Sequence, residues 1–82
     1  MDDLKIFSEK NIKLIAKRIR ALRKAKGYSN QEHFAYKFDI ARAQYSRWER
    51  GTDLKLSSLS RILHAHDMSL VEFFSEGFDD DE

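Results

Sequence analysis

The 23 residues from Gln31 to Asp53, QEHFAYKFDIARAQYSRWERGTD, constrain the fold of this chain more than any other segment. Phe34, Ala35, Phe38 and Ile40 follow one another as large, small, large and large apolar positions, with Asp39 marking a turn between the last two. A second helix then fits from about Arg42 to Arg50, with Gly51 as its stop. Two short helices with almost no room between them must meet at a corner, and a corner with a turn of 3 to 4 residues is a recurring helical unit.

The helical wheel of the second segment divides its residues. At about 100° per residue, Ala41, Tyr45, Trp48 and Glu49 share one side, and Arg42, Ala43, Ser46, Arg47 and Arg50 share the other. The first side can anchor to a core, which leaves the second free. Arginine pairs bidentately with guanine O6 and N7, serine bonds bases or phosphates, and an alanine methyl can touch the thymine methyl. A charge run on a helix is ordinarily a solvated face. On a two-helix corner whose second helix can lie in a major groove, DNA recognition is the favoured reading.

Residues 15 to 74, roughly three quarters of the chain, resemble the lambda-repressor and Cro type helix-turn-helix family, also called xenobiotic-response-element-like. The resemblance rests on IAKRIRALRKAKG, QEHFA, YSRWERG and LSSLSRILHAHDMSLVEFF. It implies an all-α, compact five-helix DNA-binding domain, expected over residues 1–78, followed by an acidic tail at 79–82. It further implies that Gln31, opening the second helix, meets a phosphate and helps orient the reading helix. Arg42, Ala43, Gln44 and Arg47 are the implied base and backbone contacts. Members also pair an arginine four residues before the glycine after helix one with the glutamate of the closing motif, here Arg23 and Glu49. A carboxylate at the edge of the buried side needs such a partner. The chain departs from the pattern at Asp39, where glycine is usual, and at Ala41, where a serine or threonine cap is usual; such a cap contributes about 1 kcal/mol. One extra residue between Gly27 and Ala35 leaves either Ser29, with Glu32 closing a capping box, or Asn30 as the cap of the second helix.

Composition is consistent with one helical domain. Of 82 residues, 41% are hydrophobic and 35% charged; there is no proline, no cysteine and only three glycines, which excludes a disulfide framework and disfavours a sheet protein. No apolar run approaches the roughly 18 residues of a membrane span, and the acidic start MDDLKIF is unlike a signal peptide, so a cytoplasmic protein is expected. The net charge of +1 conceals a division. From Ser8 to Ser75 there are 14 Lys and Arg against 7 Asp and Glu, a net of +7, while the two ends carry 7 acids against Lys5 alone. A basic body is the electrostatic footprint of a nucleic-acid binder.

Helices are expected from Ser8 or Glu9 to Lys26, with Ile12, Ile15, Ala16, Ile19 and Leu22 facing inward, and from near Ser57 to Asp67. A short last helix follows a capping box formed by Ser69 and Glu72 and is broken by Gly77. Lys55 and Arg50, beside the loop after the reading helix, are expected on phosphates. Leu70, Phe74 and Phe78 offer more apolar surface than one short helix can bury beneath itself, and predict a homodimer interface. His64 and His66, two residues apart, point to different faces and make a poor metal pair; with His33 they read as surface or boundary residues. No ordered set of nucleophile, base and acid is present, so no catalytic residue, metal or cofactor is expected. The sequence therefore predicts a transcriptional regulator, a repressor or controller protein, occupying a two-fold operator in double-stranded DNA. A protein-interaction module on the same fold and an antitoxin are the alternatives.

Overall fold

A computed structural model describes residues 2–78; the acidic tail expected at 79–82 lies outside them. Five helices follow in order: α1 (Asp3–Ala25), α2 (Gln31–Lys37), α3 (Arg42–Arg50), α4 (Leu56–His66) and α5 (Leu70–Phe74). The fold is all-α, as expected, with no strand among the described residues.

α1 starts five residues before the expected Ser8. Asp2 supplies the cap, its side chain accepting from the Lys5 amide at 3.2 Å, and nothing between Asp3 and Phe7 breaks a helix. Leu4, Ile6 and Phe7 are all exposed, so inward-facing periodicity does not extend to them. At the other end Gly27, with φ of 100°, lets the Tyr28 amide reach the Arg23 carbonyl and the Gly27 amide reach Lys24. This pair of bonds closes the helix with a left-handed glycine where an L side chain would be strained.

Asn30, not Ser29, caps α2, its side chain accepting from the amides of Glu32 and His33 at 2.6 and 3.3 Å. Glu32 is thereby left free of a capping box. The corner between α2 and α3 turns at Asp39, whose φ of 58° is the left-handed conformation that glycine usually supplies. Three bonds hold it: the Asp39 amide donates to the Tyr36 carbonyl at 3.2 Å, the Ile40 amide to the Ala35 carbonyl at 2.8 Å, and Arg61 to the Asp39 carbonyl at 2.6 Å. Ala41 precedes α3 without a side-chain cap. α4 begins at Leu56, one residue before the expected start, and α5 carries the expected reciprocal box between Ser69 and Glu72.

The core forms around Phe34, whose ring lies 4.7 Å from Phe38, 5.0 Å from Tyr45 and 5.1 Å from the stacked His66 ring. Ile19, Ile40, Trp48, Leu59, Ile62 and Phe73 complete it. Of the expected α1 stripe, Ala16 and Ile19 are buried, while Ile12, Ile15 and Leu22 are half-buried. Phe38 is also only half-buried.

Candidate nucleic-acid interface

The reading face rests on a buried polar junction between α1, α2 and α3. Arg23 grips Glu49 with two bonds, Nε to Oε2 at 2.7 Å and Nη2 to Oε1 at 3.1 Å, and its Nη1 donates to the Tyr28 carbonyl at 2.8 Å. Both residues are buried. Gln31 adds a bond from its Nε2 to Glu49 Oε1 at 2.9 Å. Burial alone would raise the Glu49 pKa, yet the bonds it accepts, from Arg23 foremost, outweigh burial and hold it below the usual carboxylate range. Glu49 therefore stays ionised. The Tyr45 phenol is buried in the same region, and burial first, then the neighbouring Glu49 carboxylate, push its pKa up.

With Glu49 and Tyr45 turned inward, the opposite side of α3 faces out. Gln31, Arg42, Ala43, Ser46, Arg47 and Arg50 line one shallow concavity together with Asn30 and Glu32. Gln44 and Lys55 line a second concavity that also holds Thr52, Ser57, Ser58 and Arg61, and Arg47 borders both. The eight residues expected to contact DNA thus lie along two adjoining hollows. Arg42, Ala43, Arg47, Arg50 and Lys55 are exposed, whereas Gln31, Gln44 and Ser46 are half-buried.

Two relationships in this region are not legible from spacing. Gln31 commits one of its two amide hydrogens to Glu49, so the second N–H and the carbonyl oxygen are the groups left for other partners. Arg42 forms an ion pair with Glu32 across the first concavity, although both side chains are more than half exposed. The long separation from Glu32 to Arg42 carries no local pattern, and in sequence Glu32 fits a capping box equally well.

Residues 19–73, two thirds of the chain, match the helix-turn-helix family. The chain belongs to this family, the lambda-repressor and Cro type. As a helix-turn-helix protein of this type it binds DNA, in the service of transcriptional regulation, and the family is typically non-enzymatic. No curated protein and no solved structure gives a match. Among the described residues of this helix-turn-helix protein, no helix is long and apolar enough to cross a membrane.

The remaining residues singled out in the sequence belong to α5 and its exit. Leu70 and Phe74 are 48% and 45% exposed. Phe78 is half-buried and packs on the core, its ring 5.8 Å from Phe73 and 5.1 Å from Phe74, so it serves the monomer at least in part. Val71, at 78% exposure, adds apolar surface to the same helix, where so short a segment offers no spacing to single it out. Arg18 has no sequence signal either. It is buried, donates to the carbonyls of Phe73 at 2.9 Å and Glu72 at 3.1 Å, and sits 5.7 Å over the Phe73 ring.

Proposed function

We propose that the protein is a sequence-specific transcriptional regulator that represses by occupying a two-fold operator as a homodimer. The observation that carries this reading is the outward row of Arg42, Ala43, Ser46, Arg47 and Arg50, held in place by the Arg23–Glu49–Gln31 junction behind it. Arg42 and Arg47 discriminate bases, because a guanidinium fork matches the O6 and N7 edge of guanine in the major groove. Ala43, Gln44 and Ser46 lie between them and meet base edges or methyl groups. Gln31, Arg50 and Lys55 flank the row and hold phosphates, which fixes register without carrying sequence information.

Repression by occupancy needs no second domain: a protein seated on a promoter excludes the polymerase by volume. The dimer is proposed to form through Leu70 and Phe74, with the exposed edge of Phe78, since a contiguous apolar patch of this kind marks an association surface. Two copies related by a two-fold axis would present two α3 helices to half-sites about one helical turn apart. Selection of bound sequences from a random duplex library tests this reading. A consensus of two inverted half-sites supports it, and an absence of any enriched sequence contradicts it.

A further inference from the structure

The family match begins at residue 19, whereas α1 begins at Asp3, so the helix from Asp3 to Arg18 lies outside the matched segment. One edge of α1 carries a row of cations that crosses this boundary. Lys13, Lys17, Arg20 and Lys24 recur at steps of four, three and four residues, which places them on one line along the helix. All four are exposed.

Two observations fix where this line runs. Gly51, the stop of α3, lies against the Lys13 side chain, with 3.9 Å between a Cβ built on the glycine and Lys13 Cγ. Arg20 Nε lies 3.9 Å from Oε1 of Glu49, in the last turn of the same helix. The close bonds of Glu49 come from Arg23 and Gln31, and the Arg20 side chain is 57% exposed, so most of its donors face solvent. Both contacts fall at the C-terminal end of α3. The row therefore passes beside that end of the reading helix.

Resting on the assignment of α3 to the major groove, we propose that Lys13, Lys17, Arg20 and Lys24 form a phosphate-binding ridge that follows the duplex backbone beside each half-site. From Lys13 to Lys24 the row spans about 16 Å. One DNA strand presents a charge about every 3.4 Å of axis, so four cations over that span meet separate phosphates instead of competing for one. Contacts of this kind release counterions and add affinity regardless of sequence. The ridge thus lengthens the footprint beyond the bases that α3 reads, using residues that precede the matched segment as well as residues within it.

The test is a triple variant, Lys13→Gln with Lys17→Gln and Lys24→Gln, which leaves Arg20 and the buried junction untouched, and Arg20→Gln made separately. Affinity for a selected site and for a scrambled duplex of equal length is measured across a range of salt. The triple variant should melt like the parent, bind both duplexes about tenfold or more weakly near 0.1 M salt, and keep its base preference. Its slope of log affinity against log salt should fall by about 0.9 for each phosphate no longer neutralised, and Arg20→Gln should lower the slope by one such step for each half-site occupied. An unchanged slope and affinity in both variants would overturn the ridge, while an intact base preference would still support α3 as the reader. If the parent shows no base preference, the reading of α3 fails, and the slope comparison on any duplex still decides the ridge.

Discussion

Arg23 and Glu49 bind each other through two parallel hydrogen bonds, 2.7 and 3.1 Å long, in a site from which solvent is excluded. A guanidinium fork matched to a carboxylate in this way fixes direction as well as distance. It joins α1 to the last turn of α3 and so ties the two helices together.

Replacing Arg23 with Ala would leave Glu49 buried with only Gln31 as a close partner. The cost expected for breaking such a pair from one side is about 3–5 kcal/mol, a large part of the stability of a small domain. Replacing both with apolar residues of similar size, Arg23→Met with Glu49→Leu, should cost much less, because no charge is then stranded. Urea unfolding of the two variants checks this, and equal losses would contradict it.

Glu32 and Arg42 set a second expectation. The carboxylate faces the same hollow as the arginines and neutralises one of them. Glu32→Gln should therefore strengthen binding to both duplexes and steepen the salt dependence, since a repulsion against phosphate is removed, and should strengthen the selected duplex more, since Arg42 is released to read its base. Weaker binding to both would show that Glu32 positions Arg42 instead of restraining it.

Much of this architecture is legible in the sequence because local chemistry carries it. Gly27, Gly51 and the Ser69–Glu72 box end or begin helices through their own backbone preferences, and the placement of apolar residues around α3 assigns its two faces. The start of α1 is not legible, because Leu4, Ile6 and Phe7 are exposed and burial imposes no period on them. Arg18 is hidden for a different reason. Its partners are backbone carbonyls more than fifty positions away, and a carbonyl has no signature in sequence. The pairing of Arg42 with Glu32 likewise depends on how α2 and α3 meet.

Arg18 gives a third expectation. Its two bonds end on the last turn of α5, on the Phe73 carbonyl and on the Glu72 carbonyl, which also accepts from Ser75. Arg18→Met should keep much of the packing over Phe73 while removing both bonds, at about 1–3 kcal/mol. Amide exchange should accelerate in α5 more than in α2 or α3. Uniform acceleration across all helices would contradict a local role.

His66 makes stability depend on pH. Its ring is stacked on Phe34 and its Nε2 is buried with no hydrogen-bond partner among the described residues; burial first, and then the positive charges of Lys26 and Arg18, lower its pKa to about 4. The unfolded chain takes up this proton near the ordinary histidine value, about 6.5. Because the folded value is depressed, stability is full above about 6.5 and declines as pH falls toward 4, by at most about 1.4 kcal/mol per pH unit. His66→Phe should flatten the melting temperature between about pH 5 and 6.5, above the range where Glu49 and other carboxylates titrate. An identical pH profile in parent and variant would contradict the assignment.

The most direct test of the account compares discrimination with affinity. Arg42→Ala, Arg47→Ala, Arg50→Ala and Lys55→Ala are each titrated against the selected site and a scrambled duplex at fixed salt. Loss of Arg42 or Arg47 should shrink the preference for the selected site by about 1–3 kcal/mol. Loss of Arg50 or Lys55 should weaken both duplexes equally and leave the preference intact. A uniform loss on replacing both Arg42 and Arg47 would contradict the account, because α3 would then be holding the duplex without reading it.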